Sequence, residues 1–156
     1  MRCLITGGAG FIGSNLVDAL IERGDEVIVI DNLSAGKREN VNSRAQFHQL
    51  DIRDLEKIKP LFKGVDYVFH VAAFPRVQPS IEDPVTFNDI NINGTLNVLM
   101  AAKEAGVKRV IYSASSSAYG DQEKMPLRED MPANPLSPCL AEICGRTLLP
   151  PFQPDL

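Results

Sequence analysis

The sequence predicts an α/β fold in which a doubly wound parallel sheet carries helices on both faces. Two observations support this prediction. Short apolar or β-branched runs alternate along the chain with stretches of helical periodicity, and a glycine-rich turn separates the first run from the first helix. Strands that alternate with helices in this way pair in parallel through right-handed crossovers.

Five runs are predicted strands. The first two, Arg2–Thr6 and Glu26–Ile30, are short and almost continuously apolar. Such runs are typical of parallel strands that are covered on both faces. The other three strands are predicted at 45–51, 65–73 and 107–115.

Two long helices are predicted between these strands. Ile12, Leu16 and Leu20 recur every fourth residue within 11–23, which gives that stretch one apolar helix face. The second helix is predicted at 85–105, where alanines favour helix formation.

Composition limits the classes of protein and partner. The 156 residues fit one domain, and 44% hydrophobic with 23% charged residues is typical of a globular protein. A net charge of −4 and a pI near 5.2 argue against a nucleic-acid partner. The chain has no apolar run of membrane-spanning length and no signal-peptide pattern at its start. Cys3, Cys139 and Cys144 lack metal-site spacing and are odd in number, so we expect no metal and a reducing, cytoplasmic compartment.

The glycine-rich turn has the pattern of a phosphate-binding loop. In "TGGAGFIG" the glycines Gly7, Gly8, Gly10 and Gly13 lie between the first predicted strand and the first predicted helix. Glycine allows a tight turn and close approach of a pyrophosphate to the backbone, and the N–H groups that begin the helix attract the phosphates. The position predicts a Rossmann-type dinucleotide site.

Asp31 completes that pattern. It directly follows the second predicted strand, where a carboxylate accepts hydrogen bonds from a ribose 2′-hydroxyl and repels a 2′-phosphate. Asp31 followed by Asn32 therefore favours NAD over NADP.

The order of these motifs resembles the extended short-chain dehydrogenase/reductase family, in its NAD-dependent epimerase/dehydratase branch, and within that branch the nucleotide-sugar 4-epimerases. The motifs that carry the resemblance, over about residues 1–138, are "DNLSAGKREN" at 31–40, "LDIRD" at 50–54, "HVAA" at 70–73, "NINGTLNVL" at 91–99 and "SASSSAYG" at 113–120. The resemblance implies NAD as cofactor. The residues it implies in cofactor binding are Gly7, Gly10, Phe11, Ile12, Gly13, Asp31, Asn32, Ser34, Gly36, Asp51, Ile52, Val71, Ala72, Ala73, Asn91 and Ser113.

Several of these positions also have structural interpretations. Asp51 could begin the helix after the third strand, with Asp54 as its N-cap. Asn91 could be an ordinary residue of a helix start. His70 is expected to be packed and hydrogen-bonded at a strand end, close to the cofactor through its backbone rather than as a base.

The resemblance also implies a catalytic hydroxyl at Ser115, which would hydrogen-bond a sugar oxygen. The alternative is a plain polar exit from the fifth strand, in the run Ser115–Ser117. Dehydratases of the family usually follow this hydroxyl with an Asp-Glu pair. Two serines follow here, which argues against dehydration.

The tyrosine and lysine that the family chemistry uses are not at their expected positions. In "NPLSPCLAEICGR" Cys139 stands where the tyrosine is expected and Ile143 where the lysine is expected. The lysine would lower the pKa of the phenol, so that tyrosinate takes the proton of the sugar 4-hydroxyl while hydride passes to NAD and returns to the other face. Isoleucine cannot lower a pKa, and a cysteine without a nearby cation gains no thiolate character.

The end of the sequence suggests a change of reading frame. When 139–156 are back-translated and read one nucleotide later, the codon at 143 becomes Lys or Arg, and family-like residues can follow. We therefore expect a NAD-binding domain at 1–138 and a divergent, frameshifted tail at 139–156, punctuated by prolines, in which only 140–149 fits a short helix. A naturally divergent terminus is the alternative.

The sequence thus predicts the NAD-binding half of a nucleotide-sugar (UDP-hexose) 4-epimerase, an isomerase that is inactive as written. The alternatives are an NAD(P)-dependent sugar reductase or dehydrogenase, and a truncated, non-catalytic NAD-binding module. Expected partners are a nucleotide sugar in the full-length relative and a second copy in a weak homodimer, with no membrane and no nucleic acid.

Overall fold

A computed structural model describes residues 1–74, 77–122, 125–128, 130–132 and 134. Its centre is one sheet of five parallel strands in the order β3-β2-β1-β4-β5. The strands are β1 (Arg2–Thr6), β2 (Glu26–Ile30), β3 (Gln46–His48), β4 (Tyr67–His70) and β5 (Arg109–Tyr112). The predicted fold class is therefore confirmed.

The first two strands have the predicted bounds, and the last three are shorter than predicted. β3 keeps only three residues, which pair with Ile28, Val29 and Ile30 of β2. It lies at the sheet edge, where a ladder forms on one side only. Residues 71–73 and 113–115, predicted to continue β4 and β5, leave the sheet as loops at its carboxyl edge, and 65–66 and 107–108 precede the two strands.

The helices confirm the two long predictions and add shorter elements. Helix α1 spans Phe11–Glu22. The predicted stretch 85–105 is α4 (Pro84–Asn88), a π-helical turn (Asp89–Asn93) and α5 (Gly94–Glu104). A single π turn admits one extra residue into a helix and is frequent at functional sites.

The shorter elements were not predicted, apart from the helix after the third strand that Asp54 could cap. They are α2 (Leu55–Ile58), α3 (Val77–Glu82) and 3-10 turns at Arg38–Asn40, Lys59–Phe62 and Ser116–Tyr119. Helices of one turn lack a periodic signal, because periodicity needs several turns to repeat.

The sheet is covered on both faces, as a doubly wound fold requires. Successive residues of β1 point to opposite faces. Leu4 belongs to one buried cluster, with Phe62 and Val98, whereas Ile5 belongs to the other, with Val17 of α1. These two apolar clusters fix the strand ends, and with them the cleft described next.

Two further findings concern the rest of the chain. Among the described residues, no helix is long and apolar enough to cross a membrane. Cys139, Ile143, the predicted boundary at 138 and the predicted helix at 140–149 lie outside the described residues, so those remain predictions.

Candidate cofactor-binding site

A cleft of about 390 Å³ opens at the carboxyl edge of the sheet. It lies over the ends of β1, β2 and β4, where the strand order reverses on the two sides of β1. In open α/β sheets this switch point is where ligands bind. A volume of this size is typical of small-molecule sites.

The cleft brings together fourteen of the sixteen residues predicted to bind cofactor. Its lining is Gly7, Gly10, Phe11, Ile12, Gly13, Ile30, Asp31, Asn32, Ser34, Ala35, Gly36, Leu50, Asp51, Ile52, Val71, Ala72, Ala73, Phe74 and Ile90. The two predicted residues outside this lining are Asn91 and Ser113.

Neighbouring backbone lies too close for a side chain at Gly7 and at Gly13 of the glycine loop. Gly7 has φ +75°, and a Cβ there would lie 2.7 Å from the Ala72 nitrogen. A Cβ on Gly13 would overlap the Gly7 carbonyl oxygen and lie 2.8 Å from the Gly8 Cα. These glycines are therefore required by the protein's own backbone packing.

Gly10 is different, because the protein itself leaves room beside it. A Cβ there would meet only the Gly7 oxygen at 3.4 Å, and its backbone angles, φ −79° and ψ 172°, suit any residue. Gly10 is the N-cap of α1 and provides no side-chain acceptor to the first turn. The first-turn N–H groups of Phe11, Ile12 and Gly13 therefore face a cleft that a bound group can fill.

Asp31 joins the glycine loop to the loop after β2. One carboxylate oxygen accepts the Ala9 N–H at 2.9 Å, and the other accepts the Leu33 N–H at 2.8 Å. Leu33 has φ +62°, an unusual conformation for a branched residue that places its N–H on the carboxylate. Because each carboxylate oxygen has two lone pairs, Asp31 keeps capacity for a ligand hydroxyl.

Asp51 also lines the cleft and is held by a polar cluster. Arg53 makes a bidentate contact to it, with Nε–Oδ1 at 3.0 Å and Nη2–Oδ2 at 2.8 Å. Asn32 donates to Asp51 Oδ2 at 3.0 Å, and Arg53 also reaches Asp89 of the π turn at 3.2 Å. The Arg53 guanidinium holds the pKa of the Asp51 carboxyl well below its usual range, so this acceptor stays charged at neutral pH.

Both interpretations of the 51–54 segment are present. Asp54 caps α2, because its side chain accepts the Lys57 N–H. Asp51 lines the cleft instead of starting the helix.

His70 is buried and hydrogen-bonded on both ring nitrogens, as expected. Nδ1 lies 2.6 Å from Thr6 Oγ1, and Nε2 lies 2.8 Å from Thr95 Oγ1. Only 1% of the residue is exposed. Burial lowers the pKa of the imidazole to about 4, so the ring is neutral at pH 7 and is no candidate general base.

Asn91 is placed behind the cleft wall. It is 3% exposed, and its amide spans the backbone of Phe74, accepting the Phe74 N–H at 2.8 Å and donating to the Phe74 oxygen at 3.4 Å. Its predicted contact with cofactor stays a prediction. In this structure Asn91 positions a residue that lines the cleft.

Ser113 and Ser115 follow β5 at the same edge of the sheet. The Ser113 N–H donates to the His70 oxygen at 3.0 Å, which continues the β4–β5 pairing, and both serines are exposed. Neither serine lines the cleft over β1, β2 and β4. The catalytic role predicted for Ser115 stays a prediction.

Sequence reasoning missed five apolar lining residues and one cation. The apolar residues are Ile30, Ala35, Leu50, Phe74 and Ile90, and the cation is Arg53, which fixes Asp51. Apolar wall residues carry no motif of their own. Arg53 could have been found, since it lies two residues after Asp51 in a segment already singled out.

The family comparison identifies one match across most of the chain. The model of the "NAD dependent epimerase/dehydratase family" matches residues 3–147. A UDP-glucose 4-epimerase of Streptomyces lividans is 41% identical over 140 residues, which are 88% of this chain and 43% of that protein.

Solved structures show the same relation. The UDP-glucose 4-epimerase of Thermotoga maritima, solved with UDP-glucose, is 41% identical with a TM-score of 0.90, over 95% of this chain and 49% of that one. The UDP-glucose 4-epimerase of Thermus thermophilus, solved in complex with NAD, is 41% identical with a TM-score of 0.87, over 95% of this chain and 50% of that one. The chain therefore spans about half the length of the relatives that it matches.

Proposed function

The chain belongs to the NAD dependent epimerase/dehydratase family, and from that membership we propose that its cleft binds NAD. The observation that carries the proposal is that Gly10 and Asp31 line the same cleft. Gly10 leaves room beside the N–H groups that begin α1, which suits a pyrophosphate. Asp31 presents carboxylate oxygens with spare lone pairs, which suit ribose hydroxyls.

The residues around the cleft fit the other parts of the cofactor. Asp51, kept charged by Arg53, would accept from an exocyclic amine of the adenine. Ile52, Val71 and Phe74 supply apolar surface along the cleft. The carboxylate of Asp31 would repel a 2′-phosphate, so the site should prefer NAD to NADP.

This proposal is tested by calorimetric titration of the chain with NAD and NADP. We expect NAD to bind and NADP to bind more weakly. Asp31→Ala should weaken NAD binding by about 1–3 kcal/mol, because a hydrogen bond to a charged acceptor is lost, and NADP should gain relative to NAD. Glu22→Ala is the matched control, since it removes an exposed carboxylate of α1 outside the cleft. No binding of NAD, or unchanged selectivity in Asp31→Ala, would contradict the proposal.

For the whole protein we propose a nucleotide-sugar 4-epimerase. The relatives reported above carry that activity in their names. When bound, NAD supplies a reversible two-electron acceptor for transient oxidation of the sugar carbon. Ser115, at the carboxyl end of β5, would donate or accept a hydrogen bond at a sugar oxygen.

A second candidate is an NAD-binding module without catalysis. The observation that favours it is Cys139 and Ile143 at the two positions where the family resemblance expects a tyrosine and a lysine. That pair is what the family chemistry uses to take the proton of the sugar 4-hydroxyl. A coupled assay with UDP-galactose separates the candidates: inversion at C4 indicates an epimerase, net oxidation or reduction of the sugar indicates a reductase or dehydrogenase, and no turnover with retained NAD binding indicates the module.

Compartment and self-association are also proposals. Cys3 is a free, buried thiol among the described residues, which suits a reducing compartment such as the cytoplasm. Val85, Leu96 and Met100 are large apolar side chains that α4 and α5 expose, at 78%, 44% and 48%. An exposed apolar helix face of this kind supports weak pairing with a second copy.

A further inference from the structure

A continuous chain of hydrogen bonds crosses the core beneath the cleft. Thr6 and His70 are the last residues of β1 and β4 and are direct partners in the parallel ladder. Their side chains meet at 2.6 Å, between Thr6 Oγ1 and His70 Nδ1. On the other side of the ring, His70 Nε2 lies 2.8 Å from the hydroxyl of Thr95, at the start of α5.

The Thr95 end of this hydrogen-bond network determines which ring nitrogen of His70 carries the proton. The Thr95 hydroxyl donates to the Asn91 carbonyl oxygen at 2.6 Å, so its oxygen must accept from His70 and Nε2 must carry the proton. Nδ1 then has a lone pair and accepts the Thr6 O–H. The Thr6 oxygen in turn accepts the Ala72 N–H at 3.3 Å.

Both ends of this hydrogen-bond network contact the same wall of the cleft, the segment 71–74. Ala72 lines the cleft, and its N–H is the last donor of the chain. Asn91, whose carbonyl is the final acceptor, holds Phe74 through its side-chain amide. Phe74 also lines the cleft. One network therefore ties the segment 71–74 to the π turn and α5.

We propose that His70 is a positioning residue, which as the neutral Nε2–H tautomer holds the 71–74 wall of the cleft in the form that binds cofactor. Only the statement that this form binds cofactor rests on the proposed function. The positioning of the wall is a property of the chain without cofactor. Thr95 is the partner that selects the tautomer, and Thr6 completes the network by donating to Nδ1.

The surroundings of the ring support a single proton arrangement. His70 is 1% exposed, and the described titratable side chain that faces it is Tyr112 of β5, whose ring centroid lies 5.6 Å away. Thr6 of β1 and Thr95 of α5 carry no charge, and burial is the cause of the lowered pKa. A proton on Nδ1 in place of Nε2 would turn the Thr95 hydroxyl toward the ring and leave the Asn91 carbonyl without that donor.

The first test measures the tautomer in the chain alone. Ring ¹⁵N chemical shifts of a ¹⁵N-histidine sample report which nitrogen carries the proton. The chain has two histidines, so His48→Gln leaves a single ring to observe. We expect a neutral ring protonated at Nε2 at pH 7. A ring protonated at Nδ1, or at both nitrogens, would overturn the proposal.

The second test breaks the network away from the cleft. Thr95→Val removes the hydroxyl but keeps the shape of the side chain, and Thr95→Ser keeps the hydroxyl. Val98→Ala is the stability control, because Val98 is fully buried one turn further along α5 and makes no hydrogen bond through its side chain. We expect Thr95→Val to speed amide exchange of Ala72 and Phe74 roughly tenfold or more relative to core amides, and to weaken NAD binding by a similar factor.

The outcomes separate the inference from the proposed function. Thr95→Ser should restore slow exchange and NAD affinity. Val98→Ala should lower global stability, but it should leave NAD affinity unchanged and should not speed exchange of Ala72 and Phe74 relative to core amides. If Thr95→Val exchanges and binds like the native chain, the positioning role is wrong. If the native chain binds no NAD, the proposed function fails, and the tautomer and exchange measurements still decide whether the network fixes the wall. If Thr95→Val does not fold, the tautomer of the native chain decides alone.

Discussion

Gly10 and Gly13 lie in the same loop, but they are glycines for different reasons. The backbone of the loop itself excludes a side chain at Gly13, whereas at Gly10 only a bound group would exclude one. The sequence pattern does not distinguish Gly10 from Gly13. The structure shows that the fold requires Gly13 and leaves room for a side chain at Gly10.

Alanine substitutions should separate these two requirements. Gly10→Ala should cost at most about 1 kcal/mol of stability, since alanine is a poorer N-cap, yet weaken NAD binding at least about tenfold. Gly13→Ala should lower stability by a larger amount, because its Cβ collides with backbone that cannot move away. Thermal unfolding and NAD titration of both variants check this. Native-like NAD affinity in Gly10→Ala would mean that no group approaches the loop there.

His70 makes stability depend on pH. Its pKa in the folded chain is about 4, below the ordinary 6.5, so between these values the unfolded chain binds one more proton than the folded chain. The stability is therefore complete above about pH 6.5 and falls as the pH is lowered toward 4. Between pH 6.5 and 5 the expected loss is about 2 kcal/mol.

Urea unfolding at pH 7 and pH 5 measures this loss. His70→Gln should be less stable than the native chain at pH 7. Its free energy of unfolding should differ much less between pH 7 and pH 5 than that of the native chain. His48→Gln should keep the full difference. An equal pH dependence in the native chain and in His70→Gln would show that His70 is not buried in its neutral form.

At the scale of the elements, the helical register of the stretch 84–104 decides which side chains reach the cleft residues. The π turn Asp89–Asn93 lets one helical stretch serve two purposes. Asp89 contacts Arg53, which fixes Asp51, and Asn91 holds Phe74. A regular helix would rotate one of these residues away, since one residue corresponds to about 100° of turn.

The exposed face of α5 leads us to predict weak self-association. Leu96 and Met100 are four residues apart on α5 and exposed, so they form an apolar strip suited to weak pairing. We expect the apparent mass to rise with concentration in light scattering. Leu96→Gln with Met100→Gln should abolish that rise, while Met125→Gln, which removes an exposed apolar residue outside the helix, should not. A single mass at all concentrations, monomer or tight dimer, would contradict the prediction.

At the scale of the whole molecule, binding and turnover should be separable. The cleft that fits NAD lies entirely within the described residues, while the positions of the expected tyrosine and lysine are occupied by Cys139 and Ile143. The chain also spans about half the length of its relatives. We therefore expect cofactor binding to depend on the cleft residues, and turnover to be limited by the replacement of the expected tyrosine and lysine.

We expect the 156-residue chain to bind NAD and to epimerise UDP-galactose negligibly. Loss of the base alone should lower the rate roughly 10²–10⁴-fold. Cys139→Tyr with Ile143→Lys should not restore turnover in this chain, because positioning of the sugar needs contacts beyond the base. The control is NAD titration of the same double variant, which should match the native chain. Measurable epimerisation by the native chain would mean that Cys139 or another group serves as base.

The sequence by itself determined the fold class, the two long helices, the first two strands and most of the cofactor cleft. These features are encoded locally: β-branched runs, four-residue periodicity and glycine spacing leave a direct signal over a few consecutive residues. The positions of Gly7 and Asp31 followed from the glycine-loop pattern, and that of Asp51 from the family resemblance; all three line the cleft.

Only the tertiary structure decided how the cleft is held together. The contacts of Arg53 with Asp89, of Asn91 with Phe74, and of His70 with Thr6 and Thr95 join residues from 17 to 64 positions apart. Such pairs leave no periodic signal, because what brings them together is the packing of α5 and the π turn on the sheet. The sequence could place His70 at a strand end, but its tautomer depends on which hydroxyls the fold brings to each ring nitrogen.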